Sequence, residues 1–95
     1  MDKSKNKIAN GGNITVIDVR TDFEFMGGNV AGSINIPVHE LTARIDEIRE
    51  MNGPLVLCCA SGSRSALATA LLQSHGIDCI NGGSWMDVNF TVNNA

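Results

Sequence analysis

Residues 55–72 read LVLCCASGSRSALATALL: an apolar run, a bend of small residues, then a helical pattern. An apolar run with no polar alternation describes a strand covered on both faces, as in a parallel sheet packed between helices. The run ends on two adjacent cysteines, and a helix is expected over 64–75, with Ser63 as its cap and Gly76 placed to end it in a left-handed conformation. So short a bend leaves little choice of architecture. The helix must cross a face of the sheet, and the bend must stand at the carboxyl edge, where open α/β sheets bind their ligands.

The rest of the chain fits that frame. ITVIDV (14–19) is a second buried strand, and TDFEFMGGNVAG holds one helical turn around 23–26 before breaking up at its glycines. SINIP (33–37) reads as a short strand ended by Pro37. Val38, Leu41, Ile45 and Ile48 fall on one face of a helix running from 38 to about 50, which Asn52-Gly53-Pro54 stops. In the helix after the bend, Leu67, Ala70 and Leu71 are expected to face the sheet. IDCI (77–80) is the last strand, with NGGS as its turn. The fold class is therefore α/β, a central parallel sheet flanked by helices and joined by right-handed crossovers. Residues 1–13, polar and rich in Gly and Asn, read as a flexible leader, and 14–95 as one domain, minimal at both termini because the closing FTVNNA is brief.

Composition narrows the function. Ninety-five residues, 43% of them apolar, suffice for one core without staples. A net charge of -3 offers no broad basic surface for nucleic acid. No apolar run is long enough to cross a membrane, and the lysines near the start precede no signal-like stretch, so a cytoplasmic location is expected. Three cysteines, two of them adjacent, make a poor disulfide framework and agree with a reducing compartment. His39 and His75 are far apart and no C-x-x-C pair exists, so no metal and no cofactor are expected. Both histidines read as surface residues at helix ends.

The chemistry concentrates in Cys59, Ala60, Ser61, Gly62, Ser63, Arg64 and Ser65. Small residues let the backbone curl so that successive N–H groups converge on one centre, an anion-binding nest. The following helix adds its unsatisfied amides and the positive end of its dipole. A cysteine so placed ionises easily, its pKa falling from about 8.5 to as low as roughly 3.5–7.5. The same donors hold the charge on a sulfur bound to it. Arg64 has two roles open to it, facing a bound anion or bracing the loop through a salt bridge. Asp18 and Arg20 close the first strand near the same rim, and are expected to tie down backbone and pair with neighbours such as Glu24. Cys79 reads as core, and Cys58 as a small apolar residue of the strand.

At this point the chain resembles the rhodanese-like sulfurtransferases. Cys59-x-x-Gly62-x-Arg64-Ser65 is similar to their active-site loop, in which the first cysteine carries a persulfide. Asp18-Val-Arg20-Thr-Asp22-Phe-Glu24-Phe25 with Gly28-Asn29-Val30 and Gly32-Ser33-x-Asn35-Ile36-Pro37 resembles their amino-terminal signature, with Asn29 where histidine is usual and Ser33 where alanine is usual. Asn81-Gly82-Gly83-Ser84-Trp85 resembles the segment after their last core strand. The resemblance implies a single-domain sulfurtransferase with Cys59 as the catalytic nucleophile and the amides of residues 60–65 as the substrate-binding donors. It implies thiosulfate or a persulfide as donor and a thiol or cyanide as acceptor; a protein acceptor, a monomeric state, no nucleic acid and no membrane complete the expectation. Two other readings stand beside it. One is a persulfide carrier with little turnover. The other is a cysteine-dependent phosphatase or arsenate reductase, whose Cys-x5-Arg spacing is met by counting from Cys58.

Overall fold

Thr15–Asp18 forms β1, Ile34–Asn35 β2, Leu55–Cys59 β3 and Cys79–Ser84 β4 in the computed structural model, which describes residues 14–94. All pairings are parallel, and the sheet order is β2-β1-β3-β4, so β1 and β3 occupy its centre. That is where the two β-branched and apolar runs belong, since a central parallel strand is covered on both faces. Every residue of β3 is buried. The expected leader, 1–13, lies outside the described residues.

Helices cover both faces. On one side Ile17, Leu55, Leu57 and Cys59 pack with Leu41, Ile45, Ile48, Ala68 and Leu72. On the other, Val16, Val56 and Cys58 pack with Val30 and Val88, and with the half-buried Trp85 and Val92. The alternation of strand side chains therefore sends the two adjacent cysteines into separate cores.

Several expectations are corrected here. The helix expected over 38–50 is two 3₁₀ turns, Val38–Glu40 and Thr42–Arg44, followed by α2, Ile45–Arg49 (α1 is Asp22–Met26). Arg44 leaves helical geometry at φ -115°, ψ 19°, yet Leu41, Ile45 and Ile48 are still buried. The spacing identified the anchors without identifying the hydrogen-bond pattern that delivers them.

The helix after the bend, α3, runs Ser63–Ser74 and buries Ser65, Ala68, Thr69 and Leu72. Leu67 is 71% exposed, Ala70 is exposed and Leu71 half-buried, so the buried face lies one residue beyond the expected one. Its N-cap is Gly62 in the left-handed region at φ +100°, not Ser63. Gly76, at φ +76°, does turn the chain out of the helix as expected.

β4 extends through NGGS instead of ending at Ile80, and a helix, α4, Trp85–Asn93, follows it directly and takes up much of FTVNNA. Ser84 accepts the Asp87 N–H at 3.1 Å and caps α4, whose Val88 and half-buried Trp85 and Val92 cover the second core. One extra residue, Gly82, is inserted in β4 opposite the step from Leu57 to Cys58. A Cβ there would lie 2.7 Å from Val56 and Val88 methyl carbons, so the insertion needs glycine.

Candidate functional site

Cys59 is the last residue of β3 and Gly62 sits at the start of α3, three residues later. The Gly62 N–H donates to Cys59 Sγ at 2.9 Å, the Ser65 N–H at 3.4 Å, and the Ser65 hydroxyl lies 3.4 Å from the same sulfur. Gly62 is the N-cap and Ser65 the third helical residue, so the sulfur occupies the place where a capping oxygen usually receives an orphan amide. That explains why the helix has no side-chain cap of its own. It also sets the helix phase: turning Ser65 inward carries Ala68, Thr69 and Leu72 inward with it at helical spacing.

Burial pushes the Cys59 thiol up, but the Ser65 hydroxyl and the amides of Ser65, Gly62 and Ser61 more than reverse it, and the net shift is downward. Cys58 goes the other way. Burial, with the Asp18 charge adding to it, pushes that thiol up to about 12. The thiol of the Cys-x5-Arg register thus lies in the opposite core from the loop.

Of the loop residues, Gly62 and Ser65 reach the sulfur directly, and the Ser61 amide adds to its stabilisation. Ala60, Ser63 and Arg64 make no hydrogen bond to it among the described residues, and the Ser61 and Ser63 hydroxyls pair with each other at 3.2 Å. Arg64 is paired with a side chain: its guanidinium grips Glu24 at both ends, Nη1 to Oε1 at 2.7 Å and Nη2 to Oε2 at 3.0 Å. Glu24 is itself fixed at the start of α1, where it accepts from the Thr21 N–H at 3.0 Å and Thr21 Oγ1 at 3.1 Å in a capping box. The Arg64 pairing, together with Thr21, holds its carboxyl at about 2.

Asp18 and Arg20 are both buried and form a bidentate pair, Nε to Oδ1 at 2.9 Å and Nη2 to Oδ2 at 2.7 Å. Arg20 also donates to the Gly28 carbonyl at 2.6 Å and stacks on Trp85, 4.8 Å from the ring centroid. Its expected pairing with Glu24 survives only at the backbone, a 3.3 Å bond to the Glu24 carbonyl. The two departures from the signature are absorbed locally: Asn29 donates to the Phe25 carbonyl at 2.8 Å and Ser33 to the Val30 carbonyl at 2.6 Å.

Asn81 joins the site without having been singled out for it. The inserted Gly82 re-aims this part of β4, so that Asn81 Oδ1 accepts the Ser65 hydroxyl at 2.7 Å and the Gly83 N–H at 3.0 Å, while Nδ2 donates to the Gly62 carbonyl at 3.2 Å. The Ser65 hydroxyl thus has two acceptors within reach, Asn81 Oδ1 at 2.7 Å and Cys59 Sγ at 3.4 Å. The signal in the sequence was a polar residue inside an otherwise strand-like CINGGS.

Among the described residues no three His, Cys, Asp or Glu side chains cluster as metal ligands, and no helix is long and apolar enough to cross a membrane.

The chain is 30% identical over 70 residues to a sulfurtransferase of Allochromatium vinosum, covering 74% of this chain and 64% of that one. It is 29% identical over 72 residues to a putative sulfur carrier protein, YrkF, of Bacillus subtilis, covering 76% of this chain and 38% of the relative. The chain spans less than two thirds of the length of the curated relatives it matches. A rhodanese-like domain protein of Staphylococcus aureus superposes with a TM-score of 0.75 at 30% identity, over 93% of this chain and 85% of its own. The rhodanese-like domain profile matches residues 2–86, nearly the whole chain, and the chain belongs to that family.

Proposed function

We propose that this chain is a sulfurtransferase that carries sulfane sulfur on Cys59. The observation that carries the reading is the convergence of the Gly62 and Ser65 amides on one sulfur atom at the mouth of a helix. Such a donor set stabilises a thiolate, and after transfer it stabilises the charge on a persulfide.

In the first half-reaction the Cys59 thiolate attacks the outer sulfur of thiosulfate. A Cys59–S bond forms, the S–S bond of the donor breaks, and sulfite leaves with its electron pair. In the second, cyanide or a thiolate attacks the terminal sulfur, giving thiocyanate or a new persulfide and restoring the Cys59 thiolate. No external oxidant or reductant enters. The two halves make a ping-pong cycle with a covalent intermediate. A low-molecular-weight thiol or a protein thiol serves as acceptor in a reducing compartment, in keeping with the three free cysteines.

The test is the intact mass after incubation with thiosulfate. A gain of one sulfur that cyanide reverses and that Cys59→Ser abolishes supports the reading; unimpaired thiocyanate production by Cys59→Ser refutes it. A second reading, a carrier with little turnover on thiosulfate, is favoured by the capture of Arg64 by Glu24 and by the likeness to the putative sulfur carrier protein. Slow steady-state turnover beside rapid stoichiometric sulfur uptake from a persulfide marks that case.

A further inference from the structure

Among the described residues, cations are scarce around the proposed sulfur site. The described residues hold four arginines against nine Asp and Glu, and the three lysines, at 3, 5 and 7, lie outside them. Each arginine is engaged elsewhere. Arg20 is committed to Asp18, Arg44 to Glu40 and Glu47, Arg49 to the His75 carbonyl, and Arg64 to Glu24. Arg64 belongs to the same short loop as Cys59, whose charge is among those that raise the Arg64 pKa, so where its guanidinium is held bears on the charge a donor meets on arrival.

We propose that Glu24 is a positioning residue that sets donor selectivity: by holding both ends of the Arg64 guanidinium it withholds that charge from bound sulfur, so that the site takes singly charged sulfane donors in preference to dianionic thiosulfate. The proposal rests on Cys59 as the sulfur-bearing residue. Two features make the restraint firm. Both Glu24 carboxylate oxygens are occupied by Arg64, one of them also accepts from Thr21, and helix α1 keeps the carboxylate in place through its cap. The carboxylate is also itself a negative charge next to the loop, which repels a dianion more than a monoanion. What remains to bind a donor is the neutral amide ring, which holds one charged sulfur and offers nothing specific to a second charge.

Methanethiosulfonate is the matching probe. It is thiosulfate with one anionic oxygen replaced by methyl, it carries a single charge, and it passes its outer sulfur to a thiolate with methanesulfinate as leaving group. In Glu24→Gln the amide still accepts from Thr21, so the cap is kept while the charge that holds Arg64 is lost. The expected result is a fall of about fivefold in the thiosulfate KM, with kcat and the methanethiosulfonate KM each within about twofold of the unaltered protein, the size of effect that one exposed charge exerts. Arg64→Gln added to Glu24→Gln abolishes the gain. A general loosening of the loop would instead weaken both donors alike, and an unchanged ratio of the two donors overturns the proposal.

Salt dependence on the unaltered protein gives an independent sign. Raising ionic strength from about 0.01 M to about 0.15 M shortens the screening length from about 30 Å to about 8 Å. Thiosulfate kcat/KM is expected to rise over that range, and methanethiosulfonate to rise less. A fall for thiosulfate means that a cation faces the donor, and overturns the proposal even if the variant fails to fold. Absence of sulfur uptake from either donor overturns both this proposal and the Cys59 reading; uptake from methanethiosulfonate with an unmoved donor ratio overturns the Glu24 assignment alone.

Discussion

Replacing Gly62 by alanine tests the loop at its narrowest point. The residue has φ +100°, ψ -10°, and its N–H makes the 2.9 Å bond to Cys59 Sγ. A left-handed backbone costs a residue with a Cβ roughly 1–2 kcal/mol, and the new carbon would also lie 3.3 Å from Gly83 Cα in a bend with little room to give. The protein then has two ways to respond. If the bend is kept, the strain appears as lost stability, and each kcal/mol lowers Tm by about 4–8 °C in a domain of this size. If the bend relaxes, the Gly62 amide turns off the sulfur. A hydrogen bond to a charged group contributes about 1.5–3 kcal/mol, and at about 1.4 kcal/mol per pKa unit its loss raises the Cys59 pKa by roughly one to two units. Thermal melting measures the first response and thiolate ultraviolet absorbance against pH the second. The titration is clean because burial pushes Cys58 up to about 12 and Cys79 upward as well. A variant that melts and titrates like the parent protein refutes the argument.

Asp18→Asn leaves the Arg20 guanidinium buried without its carboxylate and is expected to cost about 3–5 kcal/mol in urea unfolding. Cys58→Ala is expected to keep sulfur uptake, read by intact mass, at a stability cost of ~1 kcal/mol for the small void. Leu72→Ala should cost ~2–5 kcal/mol and Leu67→Ala less than ~0.5 kcal/mol, and equal costs would contradict the observed helix face. Glu24, at about 2 in the folded protein against an ordinary 4.5, adds stability that is fully present above pH 4.5 and is lost as pH falls through 2. The Tm difference between the parent and Glu24→Gln should therefore shrink toward zero across that window.

The strands and the nest were legible because their signals are strong and local. LVLCC and ITVIDV can be little else than covered parallel strands, and a bend of small residues before a helix can only gather amides. The phase of α3 was not legible. SRSALATALLQS is rich in alanine and small polar residues, so hydropathy hardly distinguishes its faces; the deciding force is the inward turn of Ser65 toward the sulfur, a long-range demand no local pattern records. The 3₁₀ turns before α2 were hidden for a related reason, since Leu41, Ile45 and Ile48 reach the same core through either hydrogen-bond pattern. The roles of Asn81 and Glu24 depended on partners 16 and 40 residues away along the chain, Ser65 and Arg64. Their own surroundings in the sequence, a glycine-rich strand end and a helical turn, look like ordinary structure.

Cys58 and Cys59 are consecutive in the chain yet point to opposite sides of one strand. Neighbouring thiols usually threaten each other, because one can attack a sulfur loaded on the other and close a ring. Here a wall of backbone stands between them. If residue 59 carries sulfur as proposed, the thiol at 58 is walled off from it while Cys79, far away along the chain, shares its core, so the sheet and not sequence distance decides which internal thiol stands on its side.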